Sequence, residues 1–201
     1  YEKQPPGTTF LYLLDGPAAE GDTLFANQAA AYNRLSPEFR KRLHGLESFT
    51  RVSLDSKKSA AKGTNVISAV EQADNSKNRG GIVRRDPVTS IHPLVRTHPA
   101  TGEKALFVNP QFSRRIVGFK KEESDFLLNF LYDHIAKGQD FQARVKWAPG
   151  TVVVWDNRVT AHSALLDWDD GARRHLARIT PQAEAPYETE IEERKTAGFE
   201  Y

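Results

Sequence analysis

The 201 residues carry 28 Lys plus Arg against 26 Asp plus Glu, a net charge of +2, with 39% hydrophobic and 10% aromatic side chains. That length and apolar content supply one domain with a real core. The near-balance of charge offers no general field for nucleic acid or an acidic membrane surface, so neither is expected as a partner. The absence of cysteine excludes disulfides, zinc ribbons and thiol nucleophiles, and suits a reducing compartment. There is no methionine either, so Tyr1 is not expected to be the natural start. No apolar run reaches the length of a membrane span, and the first residues show no leader pattern.

In chain order, Gly7 to Leu14 is a β-branched and aromatic run closed by the turn Asp15-Gly16-Pro17, a strand. Glu20 to Phe25 reads as a second short strand and Asn27 to Arg34 as a short helix. Ser36-Pro37 opens another helix, Ser at the N-cap and Pro in the first turn, with Phe39, Leu43 and Leu46 on its apolar side. From 55 to 86 the chain turns rich in Lys, Ser, Asn and Gly; a loop of this length inside a domain predicts a lid or binding loop. Ala105 to Val108 is a short strand. Lys121 to Lys137 is the clearest helix, with Phe126, Leu127, Phe130, Leu131 and Ile135 expected on its buried face and Gly138 as its stop. Phe141 to Trp147 alternates as a half-buried strand, Thr151 to Trp155 is a strand ending in Asp156-Asn157-Arg158, and Arg174 to Thr180 is the last strand. The charged tail 184–201 reads as peripheral, with one helix at most. Many short strands and few helices point to an antiparallel sandwich or barrel with helices outside.

The chemistry concentrates in Trp155-Asp-Asn-Arg-Val-Thr-Ala-His162 and Arg173-Arg-His-Leu-Ala-Arg178. His162 is placed just past a strand end, where loop residues are displayed at a barrel mouth. Arg174 and Arg178 are four apart on one strand, so both face the same side, roughly 13 Å apart. Two inward guanidiniums are costly unless each meets an anion. The plainer reading makes His162 a structural histidine and leaves the arginines on a solvated face, paired with Asp169 or Asp170. A Ser-His-Asp hydrolase built on Ser163, His162 and Asp156 lacks the Gly-x-Ser-x-Gly elbow. No phosphate loop or dinucleotide fingerprint is present. His92 and His98 read as turn residues as readily as ligands, and Trp147 and Trp155 as core.

Trp155-Asp-Asn-Arg-Val-Thr-x-His162 with Arg174-x-x-x-Arg178 resembles the distal iron-ligand segment of the taurine/sulfonate (TauD-like) family of iron(II), 2-oxoglutarate-dependent dioxygenases. So do Gly21-Asp-Thr-Leu24, His92-Pro-x-Val-Arg-Thr-His-Pro-x-Thr-Gly102, and Ala105-Leu-Phe-Val-Asn109 with Phe112, Arg115 and Ile116. The resemblance runs from Tyr1 to about Pro186. It implies a mostly β fold with flanking helices, a double-stranded β-helix (jelly roll, cupin-like), forming one domain over 1–201. It implies Fe(2+) held by an early His-x-Asp pair and a late His, the facial triad, with 2-oxoglutarate and O2 as co-substrates. His162 matches the late ligand. Thr23 and Arg174 match the hydroxyl and the arginine that hold the 2-oxoglutarate carboxylate, while Arg178 matches the arginine that grips a sulfonate. Phe112 matches an aromatic wall of the substrate pocket. The His-x-Asp pair is expected immediately before Tyr1, so the chain as written should be inactive alone. The gap from His162 to Arg174 is one residue longer than expected, and neighbouring Arg173 leaves the register open. The implied reaction hydroxylates the carbon bearing the sulfonate of a small anionic substrate such as taurine, and the product collapses to an aldehyde and sulfite alongside succinate and CO2. An aryloxy-acid, a sulfate ester or a purine would suit the same chemistry, and a truncated inactive homologue is the reading from another class. A cytoplasmic location is expected; homo-oligomerisation is left open.

Overall fold

The structure is a computed structural model that describes residues 2–17, 20–51, 89–165, 167 and 173–190. The expected lid at 55–86 and the tail beyond 190 lie outside the described residues, as do Asp169 and Asp170.

Strand β1 (Thr8–Asp15) is central in a sheet of order β11–β1–β9, antiparallel to β9 (Val152–Asp156) and β11 (His175–Ile179). Its Thr, Phe, Leu and Tyr residues suit a pleated surface, and alternation divides them. Thr9, Leu11 and Leu13 share a face with Trp155, Val153, Arg178 and Leu176, and Leu13 on that face is buried. Phe10, Tyr12, Leu14, Val152, Val154 and Ile179 form the opposite, exposed face. A second sheet has the order β10–β2–β8, with β2 (Thr23–Asn27) between β8 (Gln142–Val145) and β10 (Thr160–Ala164). Consecutive strands β9, β10 and β11 therefore alternate between the two sheets, which sets the inner faces opposite each other. β3 (Glu47–Arg51) joins β4 (Thr89–Pro93) to β7 (Ser113–Ile116), and β5 (Val95–Thr97) pairs with β6 (Lys104–Leu106).

Helix α1 (Gln28–Arg34) starts where the Asn27 side chain accepts hydrogen bonds from the amides of Ala29 and Ala30, at 2.9 and 3.0 Å. Helix α2 (Pro37–Leu43) opens as expected on Ser36 with Pro37 in its first turn, and buries Leu43. Helix α3 spans Lys121–Lys137, the predicted bounds, but the buried stripe differs from the expected one. Ser124, Leu128, Leu131 and Ile135 face inward, whereas Phe126 is 78% and Phe130 42% exposed. The apolar arc of this helix is wider than the strip that meets β7. Docking is decided by Ser124, whose hydroxyl accepts the buried Ile116 amide at 2.8 Å. Among the described residues no helix is long and apolar enough to cross a membrane.

The start of the charged tail is an extended strap rather than a peripheral helix. Thr97 donates its amide to the Tyr187 carbonyl at 2.8 Å, Glu188 pairs with His44, and Glu184 pairs with Arg96. Arg96 is only 1% exposed, lies over the Phe107 ring at 4.9 Å, and has its pKa lowered by burial against the opposing pull of Glu184. From Glu184 the ion pairs continue through Arg158 to Asp156 and His98. Burial pushes the Asp156 carboxyl up, but hydrogen bonds from Arg158 and His98 outweigh it and hold it well below the usual carboxylate range.

His92 is buried within β4 rather than in a turn, whereas His98 is a buried turn residue as expected, its Nδ1 accepting the Thr101 amide at 3.1 Å. Burial lowers the pKa of His92 from 6.5 to about 4, with Arg96 adding to the effect and a hydrogen bond to the Glu2 backbone opposing it. The unfolded chain takes up a proton below pH 6.5 and the folded chain only near pH 4. Stability from this group is therefore complete above pH 6.5 and declines as pH falls towards 4. Urea unfolding at pH 7, 5.5 and 4.5 should show this slope, and His92→Leu should flatten it.

Candidate active site

Thr23 is placed by the turn before β2. Glu20 and Gly21 have φ of +71° and +68°, and a left-handed non-glycine such as Glu20 persists only where its surroundings enforce it. Here they do. The Gly21 amide donates to Asp167 Oδ1 at 2.7 Å, the Arg144 Nε donates to Asp22 Oδ2 at 2.6 Å, and the Leu165 amide donates to the Asp22 carbonyl at 2.8 Å. Arg174 reaches the same turn, its Nη2 donating to the Gly21 carbonyl at 3.1 Å. Thr23 itself is 3% exposed, and its Oγ1 accepts the indole N–H of Trp147 at 2.9 Å.

His162 lies in the middle of β10, not beyond a strand end as expected. It pairs with Phe25 while Ala164 pairs with Thr23, so Thr23, Phe25, His162 and Ala164 share one face of the sheet. The imidazole stacks on Phe25 with ring centroids 5.8 Å apart and packs on Trp155 at 5.0 Å. Trp155 belongs to the other sheet, so the contact joins the two inner faces. Although one side of His162 remains open to solvent, crowding by protein pushes its pKa down, and the nearby Arg178 charge pushes it further. The ring is thus held neutral, with a lone pair to offer a metal.

Arg178 pairs with Leu11 on the inner face of its sheet, and its charge lowers the His162 pKa. Arg174 sits just before β11 rather than within it, half-buried, with burial lowering its pKa. Arg173 is exposed and its guanidinium lies 3.7 Å from Asp15, so Arg174 is the arginine turned towards Thr23. Phe112 is carried by a different sheet from the other four. Its amide donates to the Asn109 carbonyl at 3.1 Å, just ahead of β7 in the β4–β3–β7 sheet.

Trp147, Phe25, Asp22 and Asp167 escaped sequence reasoning as site residues; an indole next to a strand reads as core. The polar group after Trp155 is a lock. Asn157 accepts from the Trp155 indole at 2.8 Å and donates to Thr9 Oγ1 at 2.8 Å. Asp156 is spent on His98 and Arg158, which removes it from any hydrolase triad with His162. Among the described residues no three His, Asp or Glu side chains gather to hold a metal. His162 fits one corner of a facial site, and a facial triad needs two donors more.

Residues 1–180 match the family described as "Taurine catabolism dioxygenase TauD, TfdA family". The chain is 49% identical over 191 residues to the alpha-ketoglutarate-dependent sulfonate dioxygenase of Saccharomyces cerevisiae, covering 94% of this chain and 42% of that protein. It is 48% identical over 193 residues to the alpha-ketoglutarate-dependent dioxygenase cnsM of Penicillium expansum, covering 96% and 50%. The crystal structure of a taurine dioxygenase from Burkholderia xenovorans superposes with a TM-score of 0.73 at 33% identity, over 92% of this chain and 56% of that one. The chain spans about half the length of the curated relatives it matches. With a mostly β jelly-roll fold and a match reaching from its first residue through β11, the chain belongs to the taurine catabolism dioxygenase TauD, TfdA family.

Proposed function

We propose that the protein carries out iron(II)- and 2-oxoglutarate-dependent hydroxylation of a small anionic substrate, an alkylsulfonate such as taurine, yielding an aldehyde, sulfite, succinate and CO2. The observation that carries this reading is the meeting of Thr23 and Arg174 at one turn, on the sheet face that also bears His162, with the Arg178 charge beside that imidazole. The sulfonate dioxygenase of Saccharomyces cerevisiae supports the same substrate class.

His162 is the described residue that would hold iron, which when bound supplies the activation of O2. Arg174 and Thr23 would receive the distal carboxylate of 2-oxoglutarate, a planar guanidinium suiting a carboxylate's two oxygens. Arg178 would anchor the substrate's acid group, and anchoring a remote anion fixes which carbon is presented for reaction. Phe112 would form one wall of the substrate pocket. A cytoplasmic enzyme is the natural setting for this cysteine-free chain.

The test is a substrate panel on the full-length protein, with sulfite and succinate measured together. Sulfite equal to succinate from taurine or isethionate is expected. Succinate with a sulfate ester or an aryloxy-acid, and none with either sulfonate, would overturn the substrate class while keeping the chemistry.

A further inference from the structure

Thr23 is buried, and the hydrogen bond it receives from Trp147 spans 124 positions of sequence. An indole N–H can only donate, so the Thr23 oxygen must accept it through a lone pair. That leaves the hydroxyl proton and one remaining lone pair to share the other two positions on the oxygen. Among the described residues no acceptor takes the proton. A threonine hydroxyl ordinarily rotates to suit its surroundings and can meet a ligand as donor or acceptor. This one has a lone pair already occupied and a proton that no described acceptor takes, which biases it towards donation, as a carboxylate requires and a ligand carbonyl bearing no charge rewards less. Donation from the indole also polarises the O–H bond, because chained hydrogen bonds strengthen one another in a dry site.

The surrounding contacts make this arrangement stiff. Val145, the last residue of β8, pairs with Thr23, so the segment that leaves β8 delivers the indole two residues later to the hydroxyl it serves. Arg144 on the same strand donates to Asp22. β8 and the segment just after it thereby hold both the turn and the Thr23 hydroxyl. We infer that Trp147 is a positioning residue for the co-substrate: its indole N–H orients the Thr23 hydroxyl to donate to the carboxylate of 2-oxoglutarate. This inference rests on the reading of Thr23 and Arg174 as the 2-oxoglutarate site.

The test is titration of 2-oxoglutarate into full-length, metal-loaded, oxygen-free protein, for wild type, Trp147→Phe, Thr23→Val, Thr23→Ser and the Trp147→Phe/Thr23→Val double variant. Trp147→Phe should weaken binding about five-fold, the scale of one hydrogen bond. Thr23→Val should weaken it by about ten-fold or more, since a buried carboxylate loses its donor. Thr23→Ser, which keeps the hydroxyl, should stay near wild type, and the double variant should bind no worse than Thr23→Val alone. In NMR spectra the Trp147 indole N–H resonance should shift on adding 2-oxoglutarate to wild type and to Thr23→Ser, and not to Thr23→Val. An equal five-fold loss from Trp147→Phe in the Thr23→Val background would make the indole a packing residue and overturn the inference. Unchanged affinity in Thr23→Val would overturn it differently, by removing Thr23 from the co-substrate site. If Trp147→Phe does not fold, an indole resonance indifferent to 2-oxoglutarate in wild type overturns the inference by itself.

Discussion

Replacing Arg174 with alanine in the full-length protein should weaken 2-oxoglutarate about 100-fold while leaving the affinity for the sulfonate nearly unchanged. Arg178→Ala should do the reverse. The physical basis is the different placement of the two guanidiniums. Arg174 is half-buried and held to the Gly21 carbonyl, next to Thr23, where water cannot replace it cheaply. A charge-assisted pair in such a place contributes about 1.5–3 kcal/mol, and every 1.4 kcal/mol is ten-fold in affinity. Arg178 is more exposed, so its loss should be milder, about ten-fold on the substrate by the same arithmetic. Equilibrium titrations of each ligand into each variant provide the check. Equal losses for both ligands in either variant would show the two roles to be misassigned.

Arg96→Ala should destabilise the fold by about 3–5 kcal/mol, because it empties a fully buried site over Phe107 and removes the charge-assisted hydrogen bond to Glu184. Among the described residues Arg96 is the largest fully buried side chain, stacked on Phe107 and facing Glu184. After Arg96→Ala, Glu184 still has Arg158 as a partner, at 3.7 Å, whereas Glu184→Gln leaves the fully buried Arg96 charge without this carboxylate and should cost at least as much. Arg96→Met keeps the apolar stem over Phe107 and should recover part of the loss. Chemical unfolding of the three variants separates these contributions. A loss under 1 kcal/mol for Arg96→Ala, on the scale of an exposed ion pair, would show that the strap is not held by this contact.

Much of the outer β framework was legible because its periodicity and its apolar content agree. β1 and β9 are runs of β-branched and aromatic residues, and α3 announces both of its ends. β3 and β4 were invisible for a physical reason. Their buried face is polar, with Ser48, Thr50, Ser90 and His92 inward, while Ile91 on the other face is 52% exposed. A reader of hydropathy sees that alternation upside down. β10 was taken for a loop because Thr-Ala-His-Ser-Ala carries little apolar signal; pairing with β2 makes it a strand. The late histidine and both arginines were legible only through the spacing they share with a known family. The hydrogen bonds that orient them, such as Trp147 to Thr23 or Arg174 to Gly21, join residues more than 120 positions apart and follow from topology rather than local pattern.

The place of β1 between β9 and β11 has a consequence for biogenesis. Both neighbours of this early strand are made more than 130 residues later, so on a ribosome β1 waits with two open edges while nearly all of the intervening chain is synthesised. Contacts of such long range close slowly, and an unpaired apolar strand invites pairing with other chains meanwhile. Shielding of the nascent segment by a chaperone, and a yield that falls as synthesis outpaces folding, are what this order of strands entails.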